Sequence, residues 1–488
     1  MGGYSLLRTT LSLTLIVAMF IGLFTPITAS SQTSAMFEWR LIELYDYAKD
    51  IIVPVEKDPF AERPAVLPVA IPTFTPPAKP PEPQPVTEVT IGALYPITGD
   101  LATFGKANVE ALKTALEDVN KWFADNGYPW RFKLDIRDTE TKPETAKSLF
   151  RTLHGAGVRY FLGPMSSGEL KEVMAEIEAG LRAAVISPSS TAPGLAVKDT
   201  VYRFPPPDEF QGRVLNMLFK KDGVAHIIIV YRNDDWGKGL ADFIDRYSKD
   251  FGITVAAKIP YDPKAPAFGP VVETVRGTVE GLSKTVPLDK VGVDLISFEE
   301  GVGFLVEASK VDILAKVKWY GSDGTALSAE LIKNPAAAKF AAATVWKNTI
   351  TFAATDIAIR IYWTVRDKLD YSPDPYSFIS YDCLWIMALA IAQAGAEAEG
   401  KLPDPEKVAE KIPEIAKTYL GASGKIELNE FGDRAGSDYA IFVPIEIAAP
   451  TPTPTPAPAI PLTTIATIII VLIVLIILAA AAYYVLRR

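Results

Sequence analysis

Between residues 87 and 447, short apolar runs rich in β-branched residues alternate with stretches whose apolar positions recur every three to four residues. The first pattern fits strands buried on both faces, and the second fits helices with one apolar stripe. Strands are predicted at 89–95, 132–138, 160–163, 183–187, 226–231, 254–259, 294–297 and 318–321. Helices are predicted in the gaps, at 104–120, 143–153, 169–179, 209–219, 238–250, 268–282 and 301–314. A helix pair at 356–369 and 377–394 and a late hairpin around Gly432 complete the pattern. Repeated strand–helix–strand units require right-handed crossovers and parallel sheets covered on both faces. About 360 residues exceed what one core holds. The expected architecture is therefore α/β, with two doubly wound, Rossmann-like lobes joined by a hinge and a ligand cleft where strand carboxyl ends meet. Lobe 1 is placed at 87–207 plus 340–420, and lobe 2 at 208–339 plus 421–447.

Outside this body the pattern changes. Phe37, Leu41, Leu44, Tyr45, Ala48 and Ile52 recur at helical spacing, which predicts an amphipathic helix within an N-terminal extension at 31–63. Its apolar stripe needs a surface, either on its own body or on a partner. The segment 64–86 follows, with nine prolines between Pro64 and Pro85, and 448–461 is a second such stretch with Thr-Pro alternation from Thr451. Proline removes backbone donors and favours extended polyproline II, so both are expected to be stiff spacers that join neither sheet nor helix. The second reads as a stalk able to carry O-linked sugar.

The ends carry an address. Residues 1–30 hold Arg8, an apolar run from Leu11 to Phe24 and the small residues Ala29 and Ser30, the three-part layout of a cleaved secretory signal. No cysteine follows that run, which argues against an N-terminal lipid anchor. Within 462–488, the stretch from Ile465 to Leu486 has no charge, and about 22 residues make roughly 33 Å of helix, enough to cross a bilayer. Tyr483 and Tyr484 suit the interface, and Arg487 and Arg488 favour the cytoplasmic side. The body is expected outside the cytoplasmic membrane, held by a single pass.

Charge and rare residues narrow the chemistry. The formal charge is −9, without the basic surplus a nucleic-acid binder needs, so no nucleic-acid partner is expected. Cys383 is the one cysteine, and His154 and His226 are the two histidines, which leaves little for disulfides, zinc or a histidine-based triad. Near-motifs fail on spacing. The segment Gly99 to Lys106 puts five residues between its glycines and Ala107 where a phosphate loop needs Ser or Thr, and Gly163-Pro164-Met165-Ser166 is not a nucleophile elbow. Gly92, Gly99 and Gly105 do not make a dinucleotide fingerprint. No catalytic constellation survives, so an enzyme is not expected and no cofactor is implied.

One binding constellation does survive. After the third predicted strand, Gly163 to Gly168 brings Ser166 and Ser167 to a helix N-terminus, where free amides favour a carboxylate. After the fourth, Ser187 to Pro193 brings Ser189, Ser190 and Thr191 to the same sheet edge. N-capping alone accounts equally for either turn taken singly.

At this point the chain resembles the type I periplasmic-binding-protein-like receptors, specifically the branched-chain amino-acid (Leu/Ile/Val-type) substrate-binding proteins of ABC transporters. The resemblance covers about residues 89–442 and rests on IGALYPITGDLATFG, GPMSS, ISPSSTAPGL, YRNDDWGKGL, YGSDG and GASGKIELNEFGDR in the family's order. It implies a clamp in which Ser167, the Ser189 backbone and Thr191, beside Ser166, hold a ligand carboxylate. It implies that Asp323 meets the α-ammonium. Trp236 and Phe104 stand where relatives often carry Tyr, and Phe298 opens another expected pocket segment. If Glu299 or Glu300 faced the cleft, a basic amino acid or an amide would fit better than leucine. The implied function is capture of an amino acid or similar small polar metabolite and delivery to an ABC permease, in a membrane-anchored form suggestive of an archaeal envelope. The alternative is a sensory ectodomain working through a partner.

Overall fold

The computed structural model describes residues 36–68, 70–79, 84–398, 401–447 and 462–487. The predicted signal and Thr-Pro stalk lie outside the described residues. In chain order the body runs β1 (Met36–Asp46), β2 (Ile51–Pro54), β3 (Thr87–Tyr95), α1 (Ala102–Asp125), β4 (Trp130–Asp138), α2 (Pro143–Gly155), β5 (Tyr160–Leu162), α3 (Ser167–Glu178), β6 (Ala184–Ser187) and β7 (Val201–Arg203). It continues α4 (Asp208–Lys221), β8 (His226–Arg232), α5 (Asp235–Ser248), β9 (Thr254–Tyr261), α6 (Phe268–Leu282), β10 (Val291–Ile296), α7 (Gly301–Ala308), β11 (Lys318–Gly321), α8 (Ala329–Lys333), α9 (Pro335–Ala343) and β12 (Lys347–Phe352). It ends α10 (Asp356–Leu369), α11 (Tyr376–Glu397), α12 (Pro405–Thr418), β13 (Leu420–Gly421), β14 (Gly424–Lys425) and β15 (Asp438–Ile447).

Two sheets organise these elements. Lobe 1 holds a five-stranded parallel sheet in the order β4-β3-β5-β6-β7. Lobe 2 holds an eight-stranded sheet in the order β2-β1-β15-β12-β11-β10-β8-β9, parallel from β12 to β9 and antiparallel through β15, β1 and β2. Strands such as Ile227 to Val230 are apolar without alternation because helices cover both faces. Helix α11 is buried almost all round, against α1 and the backs of β5 and β6, as expected for a helix without a solvent face.

The N-terminal extension corrects the sequence reading. Residues 37–52 form no helix: β1 pairs antiparallel with β15 and carries β2 on its outer edge. Phe37, Leu41 and Tyr45 are its buried residues, and a spacing of four is a multiple of two as well as one helical turn. Pairing with β15 decides between them, helped by strand-favouring Phe37, Trp39, Ile42 and Tyr45. The predicted lobe boundaries shift as well. Residues 347–352 are a strand of lobe 2, and the turn at 429–434 sits on lobe 1, where Arg203 N–H donates to Gly432 O at 3.0 Å.

The first Pro-rich segment also departs from a free spacer. Thr73 makes a backbone bridge with Leu420, and Phe74 packs 5.0 Å from Trp122 and 5.5 Å from Trp385. The Tyr128 hydroxyl donates to Pro77 O at 2.6 Å. An extended Pro-rich segment leaves its backbone groups unpaired, and the body takes both kinds: Thr73 N–H donates to Leu420 O at 3.0 Å, Ala78 N–H to Gln393 Oε1 at 2.9 Å, and the Thr73 and Pro77 carbonyls accept.

The described end of the chain is α13 (Leu462–Leu486), whose stretch Ile469–Leu486 has a mean hydropathy of 3.0 and is 0% buried. Helix α11 is also long and apolar enough to span a membrane, but it is 94% buried and is a core helix. Exposure separates the two.

One buried group sets up a test of the core. Asp294 lies in the middle of β10, fully buried, with neither carboxylate oxygen bonded, and burial pushes its carboxyl up to about 7. A folded pKa above the unfolded one means that the folded state holds the extra proton. Stability is therefore lost as pH rises from about 4 to about 7 and stays lost above. Asp294→Asn should raise the melting temperature by at least a few degrees at pH 8 and by a clearly smaller amount at pH 5. Equal shifts at both values would remove the buried charge as the cause.

Candidate functional site

Where the two sheets' carboxyl ends meet, a narrow cavity brings together Phe104, Ser166, Ser167, Ser189, Trp236, Phe298 and Asp323. Leu101, Met165, Gly324 and Tyr376 complete its wall. Two glycines make the approach of these parts feasible. A Cβ on Gly105 would lie 1.9 Å from Pro96 O, so only glycine lets α1 start close enough to β3 to aim Phe104 inward. A Cβ on Gly324 would meet Ser297 O at 2.4 Å and the Trp236 ring at 2.7 Å.

The hydroxyls divide their labour. Ser166 is the N-cap of α3: its side chain accepts from Glu169 N at 3.3 Å while Glu169 accepts the Ser166 N–H at 3.0 Å. That reciprocal box occupies its acceptor role. Ser167 Oγ accepts the N–H groups of Thr191 at 3.2 Å and Ala192 at 3.1 Å, which ties the two predicted turns together and leaves its own proton free to donate. Ser189 donates its hydroxyl to Met165 O at 2.7 Å. Thr191 does not line the cavity, but its hydroxyl is buried without a hydrogen-bond partner.

Two buried carboxylates lie close by: Asp323 lines the cavity, whereas Asp208 does not and sits beside Thr191, donating its N–H to Thr191 O at 3.1 Å. Asp323, just beyond β11, accepts the Tyr376 hydroxyl on Oδ2 at 2.5 Å and leaves Oδ1 buried and unpartnered. Burial pushes its carboxyl up to about 6 against the pull of Tyr376. Asp208, the first residue of α4, is fully buried with both oxygens unpartnered. Burial first, and the charge of Asp323 second, hold its carboxyl well above the usual range, while Thr191, Arg203 and Trp236 oppose that rise. Sequence reasoning missed Asp208 and Tyr376. An acid in a helix's first turn is ordinarily read as a partner of the helix dipole, so Asp208 gave no separate signal.

The side-chain end is aromatic. Trp236 stacks on Phe298 at 4.7 Å and 21°, and the Arg232 guanidinium lies 3.8 Å from the Phe298 ring centre. Arg232 is neutralised by Asp234 at 2.6 Å and Glu300 at 2.8 Å. Glu300 also accepts the Tyr261 hydroxyl at 2.6 Å, and Glu299 bonds to Thr103 and Ser328. Neither glutamate lines the cavity, which removes the basis for expecting a basic ligand or an amide. Both are buried by partners the local sequence does not reveal.

A family model described as the receptor family ligand binding region matches residues 108–445. An uncharacterized protein of Methanocaldococcus jannaschii is 32% identical over 372 residues, 73% of this chain and 87% of that one. The Leu/Ile/Val-binding protein BraC3 of Rhizobium johnstonii is 24% identical, over 73% of this chain and 91% of its own. Among solved structures, the branched-chain amino-acid transporter substrate-binding protein LivJ of Streptococcus pneumoniae, in complex with isoleucine, superposes with a TM-score of 0.60 at 20% identity, covering 72% of this chain and 95% of LivJ. The functionally named relatives are binding proteins rather than enzymes, and the chain shares that class. The family match and the architecture agree: the chain belongs to the receptor family ligand binding region, among the Leu/Ile/Val-binding protein homologues with the type I periplasmic binding protein fold.

Proposed function

We propose that the chain is an extracytoplasmic receptor that captures an amino acid between its lobes and delivers it to an ABC permease. The observation that carries this reading is that one cavity brings Ser167, whose hydroxyl proton is free to donate, together with Asp323, whose Oδ1 is buried without a partner. An α-amino acid satisfies both ends: its carboxylate takes Ser167, with Thr191 behind it, and its ammonium takes Asp323, with the charge of Asp208 behind that. Charge-assisted bonds in a water-poor cleft are the strong ones. Phe104, Trp236 and Phe298 favour an apolar side chain on the ligand. In this reading α13 anchors the receptor in the membrane with the body outside, which raises its effective concentration at the permease.

The test is a thermal-shift screen of the full chain in detergent against the twenty amino acids. A true ligand at 100 times its Kd adds about 2.7 kcal/mol of stability, and apolar amino acids should head the ranking. No shift with any of them would sink the proposal.

A further inference from the structure

The start of helix α1 lacks its own cap. Its N-cap is Leu101, whose side chain accepts nothing, and its first turn holds no acidic residue. A helix N-terminus exposes orphan amide donors and the positive end of the helix dipole, and ordinarily a side chain just before it supplies the acceptor. Here the acceptor comes from the other lobe. Glu299, between β10 and α7 of lobe 2, takes the Thr103 N–H at 3.1 Å and the Thr103 hydroxyl at 2.5 Å. Its carboxylate also accepts the Ser328 hydroxyl at 2.8 Å, and Ser328 in turn caps α8. The Glu299 N–H donates to Asp100 O at 3.0 Å, so the contact has both side-chain and backbone strands. Glu299 is 7% exposed and Thr103 5%, and neither lines the ligand cavity.

We propose that Glu299 is the closure latch of the receptor: its carboxylate caps α1 only when the lobes are shut, so helix capping across the cleft holds the closed form. Opening returns the Thr103 donors to water and re-solvates the glutamate. The free energy of closure is thus shared between the ligand and a contact that never touches it. A clamp of this kind shuts on differential stability of two states, and the latch sets how much of that difference the ligand must supply. The other cross-lobe ion pairs are weaker candidates. Lys171 to Asp235 at 2.8 Å is solvent-exposed on both sides, and Arg232 to Asp100 spans 3.8 Å.

This inference rests on the reading of the molecule as a closing receptor, but its test needs no identified ligand. Spin labels on Lys121→Cys in lobe 1 and Glu280→Cys in lobe 2 of the full chain, with the native Cys383 buried, report the inter-lobe distance. Measurements are made in plain buffer and with a mixture of the twenty amino acids. Thr103→Val removes the hydroxyl donor from one lobe, and Glu299→Ala removes the acceptor from the other. Each should lower the closed-to-open ratio by roughly tenfold or more, since hydrogen bonds to charged groups are lost. Thr103→Ser keeps the hydroxyl and should restore the wild-type distribution. Should Glu299→Ala fail to fold, Thr103→Val and its serine rescue still decide. Variant distributions that superpose on wild type, or a wild-type chain with no closed population in either condition, overturn the latch. Failure of the amino-acid reading would register separately, as no response of wild type to the mixture.

Discussion

Asp323→Asn should weaken binding of the amino acid found by the screen by roughly a hundredfold or more, and Asp208→Asn, behind the cavity wall, by less, while each raises the melting temperature of the empty protein at neutral pH. The opposite signs follow from one arrangement. Both carboxyls are fully buried with unpartnered oxygens, and burial holds both above the usual carboxylate range. For an acid whose folded pKa is raised, ionisation costs stability once pH passes the unfolded value near 4, so a neutral amide relieves that cost above about pH 6. Asparagine at 323 still offers an oxygen to the Tyr376 hydroxyl, which keeps the local shape. With ligand present the balance reverses. The ammonium then loses a buried counter-charge, and breaking such a pair by removing one partner typically costs about 3 to 5 kcal/mol. A second acid nearby softens the loss in each single variant. Wild-type affinity should fall as pH drops below about 6, because protons compete with the ammonium for Asp323. Calorimetry with the amino acid and its deaminated analogue reads all of this. A loss below about tenfold in both variants, or equal wild-type affinity for the two compounds, would take the carboxylates out of the ammonium site.

How much of this the sequence disclosed depended on whether a feature was local. The strands from β3 to β6 and from β8 to β11 were legible because most are near-continuous apolar runs between polar turns, while the edge strand β4, WRFKLDIRD, alternates apolar and polar residues. Strand β1 was not, since its buried residues fit two periods and only β15, some 400 residues away, chooses between them. Strand β12 has the sequence KNTITF, polar enough to hide, and is a strand because β11 and β15 flank it. In the site, Ser167, Ser189, Trp236, Phe298 and Asp323 sit on the turns that follow strands or in the first helical turn beyond them, where a parallel α/β fold puts its ligand groups. Asp208 and Tyr376 also open helices, but no recognisable donor-rich turn marks them: Tyr376 lines the cavity and Asp208 is buried behind it beside Thr191. Glu299 and Glu300 show the same limit from the other side: a pair of adjacent acids read as solvated or cleft-facing is consumed by Thr103, Ser328, Arg232 and Tyr261.

The second large effect belongs to the support of the binding loop. Arg203 ends β7 with its side chain 2% exposed and forks onto Asp433, also 2% exposed, through two bonds of 2.6 Å. Its remaining arm donates to Ala192 O at 2.6 Å, next to the two amides that Ser167 gathers. One guanidinium therefore fixes both the late turn at 429–434 and the loop that would hold the ligand carboxylate. Arg203→Met keeps most of the volume and strands Asp433 as a buried, unpaired carboxylate, which should cost about 3 to 5 kcal/mol in denaturant unfolding of the full chain. Adding Asp433→Leu removes that orphan and should recover most of the loss, because a buried pair replaced as a unit is often near neutral. Affinity should not recover with it: the Ala192 carbonyl stays untethered in the double variant, so the amides of Thr191 and Ala192 lose their fixed register against Ser167. A double variant as unstable as Arg203→Met alone would show that the arginine acts through packing rather than through its charge. A double variant that binds like wild type would detach this pair from the ligand loop.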